Sequence, residues 1–259
     1  MPPRAALQYA NRIVCISPLP KYNSTAACRT EIPAATILTM ETQFTAEQFL
    51  EVFARYNQSV WPMQLILYLL ALATIVVLYR GWPSGSRVIS AVLSFFWGWM
   101  AIAYHFIFFT DINPAAWLFG AVFLVGALWF AWIGVLKGRL IFRFRGGMRG
   151  WAGGILMAYA LALYPLLGHF LGHRYPAVPT FGLPCPTTIF TLGMLLFAAA
   201  PLPRSVFIVP LLWAAVGSTA AFRFGILQDL GLLVAGVIGL AAVIATPAPS
   251  ESALQPPAT

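Results

Sequence analysis

The chain has 259 residues, of which 60% are hydrophobic and 8% are charged, and its formal net charge is +8. Soluble domains usually carry about 25% charged and about 45–50% apolar residues. These values exclude a water-soluble globular fold and predict an all-α integral membrane helical bundle with the lipid bilayer as a partner. The basic residues lie mostly in short loops between apolar stretches, so no nucleic-acid partner is expected.

The two ends of the chain differ from the apolar middle. Residues 1–39 contain five prolines and an excess of basic residues. No apolar run among them is long enough for a signal-peptide core. We interpret this segment as a disordered tail, or as sequence upstream of a misassigned start with Met40 as the alternative start; a basic transit peptide is a third interpretation. Residues 247–259 are predicted to be a disordered C-terminal tail.

Residues 40–61 predict an amphipathic helix. Thr45 and Gln48 fit a capping box, and Phe44 and Phe49 fit the hydrophobic staple that often accompanies one. Apolar side chains then follow on one helical face, with charged side chains on the others. The run is too short and too polar to cross a bilayer, so we expect an N-terminal helix that lies at the membrane surface and ends at Trp61-Pro62.

Residues 62–246 predict a bundle of about seven transmembrane helices. A helix needs about 20 residues to cross a hydrocarbon core of ~30 Å. The fifth apolar stretch is shorter and covers only ~21 Å, so it crosses if the helix begins near Phe181 or if the bilayer thins around it. A re-entrant helix pair joined by Pro201-Leu202-Pro203 is the alternative. The apolar stretches are 62–79, 88–109, 115–136, 151–171, 187–200, 206–222 and 226–245.

The basic residues predict the orientation. The loop 137–149 contains five lysines and arginines, whereas the connection 110–114 contains none. Cytoplasmic loops collect such residues, so we expect the N-terminus outside and, with seven spans, a cytoplasmic C-terminus. The basic loop is expected to attract anionic lipid, at roughly 1 kcal/mol for each base near the surface.

Two stretches resemble a known family. Phe181-Gly182-Leu183-Pro184-Cys185-Pro186-Thr187-Thr188 places two prolines around a cysteine before an apolar helix. Together with Phe53-Ala54-Arg55-Tyr56-Asn57 and Val60-Trp61-Pro62, it resembles a family of bacterial multipass membrane proteins classed as a domain of unknown function. The resemblance covers about residues 42–246. It implies the architecture and an inner-membrane location in bacteria, and it implies no reaction or substrate.

Four residues of types that can bind metals lie on the predicted outer side: His105, His169, His173 and Cys185. His169 and His173 are four residues apart and share a helical face if the helix persists that far. Imidazole and thiolate groups suit a zinc-like ion, so these four residues are a hypothetical metal site. The alternatives are interfacial packing and a bis-histidine haem between His105 and His169. No resident cofactor is predicted.

The start of the fifth stretch is a second candidate site. Thr187 and Thr188 follow Pro186, and free backbone N–H groups at a helix start favour an anion. A capped helix start that packs against its neighbours is the alternative. We include both threonines with His105, His169, His173 and Cys185 as candidate ligand-binding residues.

The leading functional hypothesis is binding, or facilitated passage, of a small molecule. It is inferred from Pro165 and Pro210 within spans, from the short fifth stretch and from the one-sided polar residues. The acids Asp111 and Asp229 are expected near span ends, which weakens the case for an ion pump. A membrane enzyme with a metal or Cys185 at the outer face is one alternative, and a structural or assembly factor without a site is another. No phosphate-binding, dinucleotide-binding, zinc-protease or serine-hydrolase motif is present, and no catalytic residue is assigned.

Overall fold

The computed structural model of the chain describes residues 44–246. The predictions for residues 1–39 and 247–259, and for a start at Met40, lie outside the described residues. Within the described range the chain folds into eight helices, which confirms the all-α class.

The first helix, α1, is Ala46–Ser59. Its predicted capping box is present, because the Thr45 hydroxyl accepts from the Gln48 N–H at 3.2 Å and the Gln48 side chain accepts from the Thr45 N–H at 2.9 Å. The apolar face of α1 is buried against the ends of other helices, where the Phe49 ring packs at a tilt against Phe109 and Phe224. The protein itself therefore covers the face that was expected to lie on lipid.

Six helices are long and apolar enough to cross a membrane. Many of their large apolar side chains are exposed, as on Leu69 and Val237, which fits a surface that faces lipid. The six helices are α2 (Met63–Arg80), α3 (Gly85–Asp111), α4 (Ala116–Leu136), α5 (Gly147–Phe170), α7 (Arg204–Arg223) and α8 (Leu227–Ala245).

Three of these helices contain a wider, π-helical stretch. The stretches are Met100–Phe106 in α3, Ala131–Leu136 in α4 and Tyr159–Leu163 in α5. The one in α5 ends just before Pro165, whose missing N–H breaks the regular helical hydrogen bonds. Such widened turns often occur at functional positions, and here they contain Tyr104, His105 and Tyr159.

The remaining helix, α6, is Pro184–Leu195 and corresponds to the short fifth stretch. With 12 residues it is only ~18 Å long, and eleven of those residues are buried. It packs against α5, α7 and α8 and forms the middle of the bundle. The helix begins at Pro184 rather than at Thr187, because prolines in a first turn lose no helical hydrogen bond.

The segments on either side of α6 reach opposite ends of the bundle. Before α6, the Asn57 side chain of α1 donates to the carbonyls of Pro176 and Val178, both at 2.7 Å. After α6, the N–H of Arg143 donates to the Phe197 carbonyl at 3.0 Å, and the Ala199 N–H donates to the Ile141 carbonyl at 2.7 Å. The chain therefore runs through the bundle from the α1 end to the end formed by loop 137–149.

The two ends differ sharply in charge. We call the end that contains α1 the acidic end and the opposite end the basic end. The acidic end carries all four acids of the described range, Glu47, Glu51, Asp111 and Asp229, together with Arg55, Arg174 and Arg223. Among the described residues, the basic end has no acid and carries Arg80, Arg87, Lys137, Arg139, Arg143, Arg145, Arg149 and Arg204.

Candidate functional site

A cluster of polar side chains lies inside the bundle near the acidic end, and Asp229 is at its centre. Asp229 is in the first turn of α8 and is 1% exposed. The hydroxyl of Tyr164, from α5, donates a hydrogen bond to its Oδ1 at 2.5 Å. Cys185, at the start of α6, is a close neighbour of the same carboxyl, which accepts a side-chain hydrogen bond from Tyr164 alone among the described residues. One carboxyl thus joins three helices.

Gln228 and Tyr159 extend this group toward the surface. The Tyr159 hydroxyl donates to the backbone carbonyl of Gln228 at 2.7 Å. The amide nitrogen of Gln228 lies 3.4 Å from Nδ1 of the half-buried His173. The amide oxygen of Gln228 is buried and has no hydrogen-bond partner in residues 44–246. We call Tyr159, Tyr164, Cys185, Gln228 and Asp229 the Asp229 cluster.

His105 lies beside the Asp229 cluster in an aromatic cage. It is fully buried, and its ring centroid is 4.6 Å from that of Phe123, 5.1 Å from that of Tyr104 and 5.3 Å from that of Trp213. Neither ring nitrogen has a hydrogen-bond partner in the described part of the chain. The Trp213 indole N–H of this cage, like the His105 nitrogens, is buried without a hydrogen-bond partner among the described residues.

The four proposed metal ligands are not assembled into a metal site. His105 is enclosed by aromatic rings, His169 is exposed next to Phe170, His173 faces Gln228, and Cys185 faces Asp229. Across residues 44–246, no three His, Cys, Asp or Glu side chains are grouped so that they could hold a metal ion. Each histidine therefore has its own surroundings, and the spacing of four between His169 and His173 does not aim them at one point.

The anion site expected at Thr187 and Thr188 is not formed either. Because α6 begins at Pro184, the Thr187 N–H is already bonded to the Leu183 carbonyl at 3.3 Å. The Thr187 hydroxyl accepts from the Gly182 N–H at 3.0 Å and so closes the turn before α6. The Thr188 hydroxyl is buried without a hydrogen-bond partner among the described residues.

A large groove opens between α2 and α5 in the half of the bundle near the basic end. Its volume is about 1020 Å³, and apolar side chains form nearly all of its wall. Its floor contains Leu78, Met157 and Phe197, which are almost fully buried, while Val76 and Trp151 at its sides are exposed. Gly154 faces open space, since a Cβ atom there would have no neighbour within 4 Å. We call this cavity the α2–α5 groove.

The basic end of the α2–α5 groove combines aromatic and cationic groups. Phe144 lies between Tyr79 and Phe197, with ring centroids 5.6 Å and 6.0 Å away. Arg80 and Arg145 line the same end. One guanidinium nitrogen of Arg145 donates to the Ala198 carbonyl at 3.1 Å, which fixes the side chain in position. An apolar cavity that ends at two guanidinium groups suits a molecule with an apolar body and an anionic head.

Comparison with known protein families identifies the family of this chain. The model of a family of unknown function, DUF6064, matches residues 46–250. The chain belongs to this family. The match begins at the first residue of α1 and continues past the last residue of α8, so it contains every described helix. The comparisons with curated proteins and with solved structures found no match.

The segment that precedes α6 is held by α1, which contains one of the stretches that carried the sequence resemblance. Thr180 donates to the Asn57 side-chain oxygen at 2.7 Å, next to the bonds from Asn57 to Pro176 and Val178. A Cβ atom at Gly182, whose φ is +100°, would lie 2.3 Å from a Leu67 methyl carbon, so only glycine fits there. Helix α1 therefore holds the approach to α6.

The residues that sequence reasoning missed are Asp229, Tyr164 and Gln228. Asp229 was placed at a span end, where an acid normally meets water, but it is buried under α5 and α6. One feature of the sequence pointed to Asp229, which is the single acid in the apolar stretch 226–245. Tyr164 is 65 residues away in sequence, and no local pattern links it to this acid.

Proposed function

We propose that the chain is a multipass protein of the bacterial inner membrane that binds an amphipathic small molecule with an anionic head in the α2–α5 groove. The observation that carries this proposal is the cavity itself, which combines an apolar wall with Arg80 and Arg145 at one end. Cavities of ligand-binding sites typically occupy about 300–1,000 Å³, and this one is at the upper limit of that range.

The charge distribution supports a definite orientation. The basic end is cytoplasmic because it carries eight basic residues and, within the described range, no acid. The acidic end and α1 then face the outside, with α1 at the outer interface. Helix α6 and its flanking segments form the fifth of seven crossings, since they connect the two ends. The C-terminus is accordingly cytoplasmic.

This orientation indicates from which side of the membrane the ligand enters the groove. The α2–α5 groove opens in the half of the bundle that this orientation assigns to the cytoplasmic leaflet, and Arg80 and Arg145 line its end. Basic side chains at this surface attract anionic lipids. The occupant is therefore an anionic lipid of the inner leaflet, with its acyl chain against Val76 and Trp151 and its phosphate near the two arginines.

Binding fits the groove better than catalysis does. Among the described residues its lining contains no Asp, Glu, His or Cys, and Tyr79 is its one hydroxyl-bearing side chain, so it has few of the groups that serve as nucleophile or general base. The enzyme alternative depends on Cys185 and the histidines at the other end, where their side chains do not converge on a metal. A structural or assembly factor without a site is the remaining alternative, and it predicts no lipid preference.

Native mass spectrometry of the purified protein with added phosphatidylglycerol or phosphatidylcholine tests the proposal. We expect selective retention of phosphatidylglycerol. The Arg80→Gln/Arg145→Gln double variant should lose about fivefold in affinity for each arginine removed, which corresponds to ~1 kcal/mol per base. Arg139→Gln is the matched control, because Arg139 is exposed in the basic loop and does not line the groove.

A second pair of variants tests the cavity rather than the charge. Gly154→Phe fills open space in the groove and should reduce lipid retention while the protein stays folded. Ala121→Phe adds the same ring at an exposed position of α4 outside the groove and should have no effect on retention. Equal retention of both lipids by the wild type, or equal behaviour of the two phenylalanine variants, would refute binding in the groove.

A further inference from the structure

Asp229 is a buried acid whose neighbours are neutral. The titratable groups that face it are Tyr159 and Tyr164 from α5, Cys185 from α6 and Tyr104 from α3. On α7, Trp213 lies near Cys185, and Arg223 is exposed at the helix end. Within residues 44–246 no cation pairs with Asp229, whereas Asp111 at the same end pairs with Arg55 at 2.8 Å.

The surrounding groups fit both protonation states of this carboxyl. An ionised carboxylate only accepts hydrogen bonds, whereas a protonated one also donates. Tyr164 donates to Oδ1 at 2.5 Å, which serves the ionised form. The preceding residue, Gln228, has a buried amide oxygen without a partner in the described chain, so an acceptor for a protonated group is available next to Asp229 in the sequence.

A metal ion does not fit the same place. An ion would need several acidic, imidazole or thiolate ligands, and the described residues bring no three of these together. A proton needs one oxygen atom and a route to water. His173 is half-buried at the acidic end and lies 3.4 Å from the Gln228 amide nitrogen, which places the route on that side. Buried acids within membrane spans commonly mark such proton sites.

We propose that Asp229 is a proton-binding site that exchanges its proton with the water at the acidic end. On release, the O–H bond of the carboxyl breaks, its electron pair stays on the oxygen, and the proton passes to water; nothing is oxidised or reduced. Tyr164 and Cys185 are positioning residues that hold the carboxyl between α5, α6 and α8 in both states. The site lies at the opposite end from the α2–α5 groove, so it stands independently of lipid binding.

Because the chain contains few aspartates, the protonation of Asp229 can be measured directly. The sequence contains only two aspartates, Asp111 and Asp229. The full-length protein, labelled with ¹³C at aspartate side-chain carboxyls and reconstituted in lipid nanodiscs, is examined by infrared spectroscopy. We expect a labelled carboxylic-acid C=O band at low pH that converts to a carboxylate band as the pH is raised. The Asp111→Asn variant leaves one labelled side chain, so the band is assigned even if Asp229→Asn fails to fold.

The expected result is a titrating band that persists in Asp111→Asn and disappears in Asp229→Asn. In Tyr164→Phe, which removes a donor to the ionised form and keeps the ring, the acid band should persist to higher pH; a merely structural tyrosine would not move it. A band that is absent from the Asp111→Asn variant at every pH would overturn the proposal. So would a band of constant intensity across the range, since Asp229 would then occupy one state throughout.

Discussion

Gly153 of α5 and Gly193 of α6 lie against each other's backbone. A Cβ atom at Gly153 would lie 2.8 Å from the Gly193 carbonyl oxygen, and one at Gly193 would lie 2.9 Å from the Gly153 carbonyl oxygen. At this contact the backbones of α5 and α6 approach each other closely, as small residues allow between membrane helices.

This contact predicts opposite effects at two adjacent glycines. Gly153→Ala should lower the free energy of unfolding by about 1–3 kcal/mol, because the added methyl group collides with rigid backbone. Gly154→Ala should be neutral or stabilising by up to ~1 kcal/mol, because its methyl group meets open space and alanine is the better helix former. Thermal unfolding of the detergent-solubilised variants measures both. Equal changes at the two positions would contradict the close approach.

The hydrogen bonds of Asn57 predict that removing this one side chain strongly lowers the stability of the protein. Its amide donates to two carbonyls and accepts from Thr180, and the residue is fully buried. Asn57→Ala should cost about 1–3 kcal/mol for each group left unpaired and should loosen the segment before α6. Trypsin should then cleave after Arg174 faster than in the wild type. Gln58→Ala, at the exposed neighbouring position, is the control and should not change the cleavage rate.

The course of α6 predicts the labelling pattern of single cysteines. In a background without Cys15 and Cys28, with the signal of the remaining Cys185 subtracted as the blank, a membrane-impermeant maleimide applied to intact cells should label Arg174→Cys and should not label Ala200→Cys or Arg139→Cys. The reason is that residue 174 precedes α6 at the acidic end, while residues 200 and 139 lie at the basic end. Labelling of both 174 and 200 would show that α6 turns back within the membrane.

The ion pair between Arg55 and Asp111 should contribute little to the free energy of unfolding. Its atoms are 2.8 Å apart, but the two side chains are 42% and 49% exposed. Water and salt screen such pairs, so Arg55→Ala should change the free energy of unfolding by less than ~1 kcal/mol. Thermal unfolding at low and high salt provides the measurement. A loss as large as that of Asn57→Ala would mean that the pair is shielded from solvent.

Sequence alone predicts those parts of the fold that local chemistry determines. The capping box at Thr45 is a contact between residues three apart, and the structure confirms it. The fifth apolar stretch was expected to begin at Thr187, after Pro186, whereas α6 begins three residues earlier because prolines fit a first helical turn. The surroundings of Asp229 and the α2–α5 groove depend on how separate helices pack, and no periodicity within one helix encodes that.

The shortness of α6 has a consequence for how the chain is made. A segment of ~18 Å cannot cross a hydrocarbon core of ~30 Å as an independent unit, so the insertion machinery has no complete span to release into lipid there. Two of the three helices that enclose it, α7 and α8, are synthesised after it. The ribosome must therefore complete α8 before α6 has its full surroundings, and this segment takes its final place only when translation of the bundle is finished.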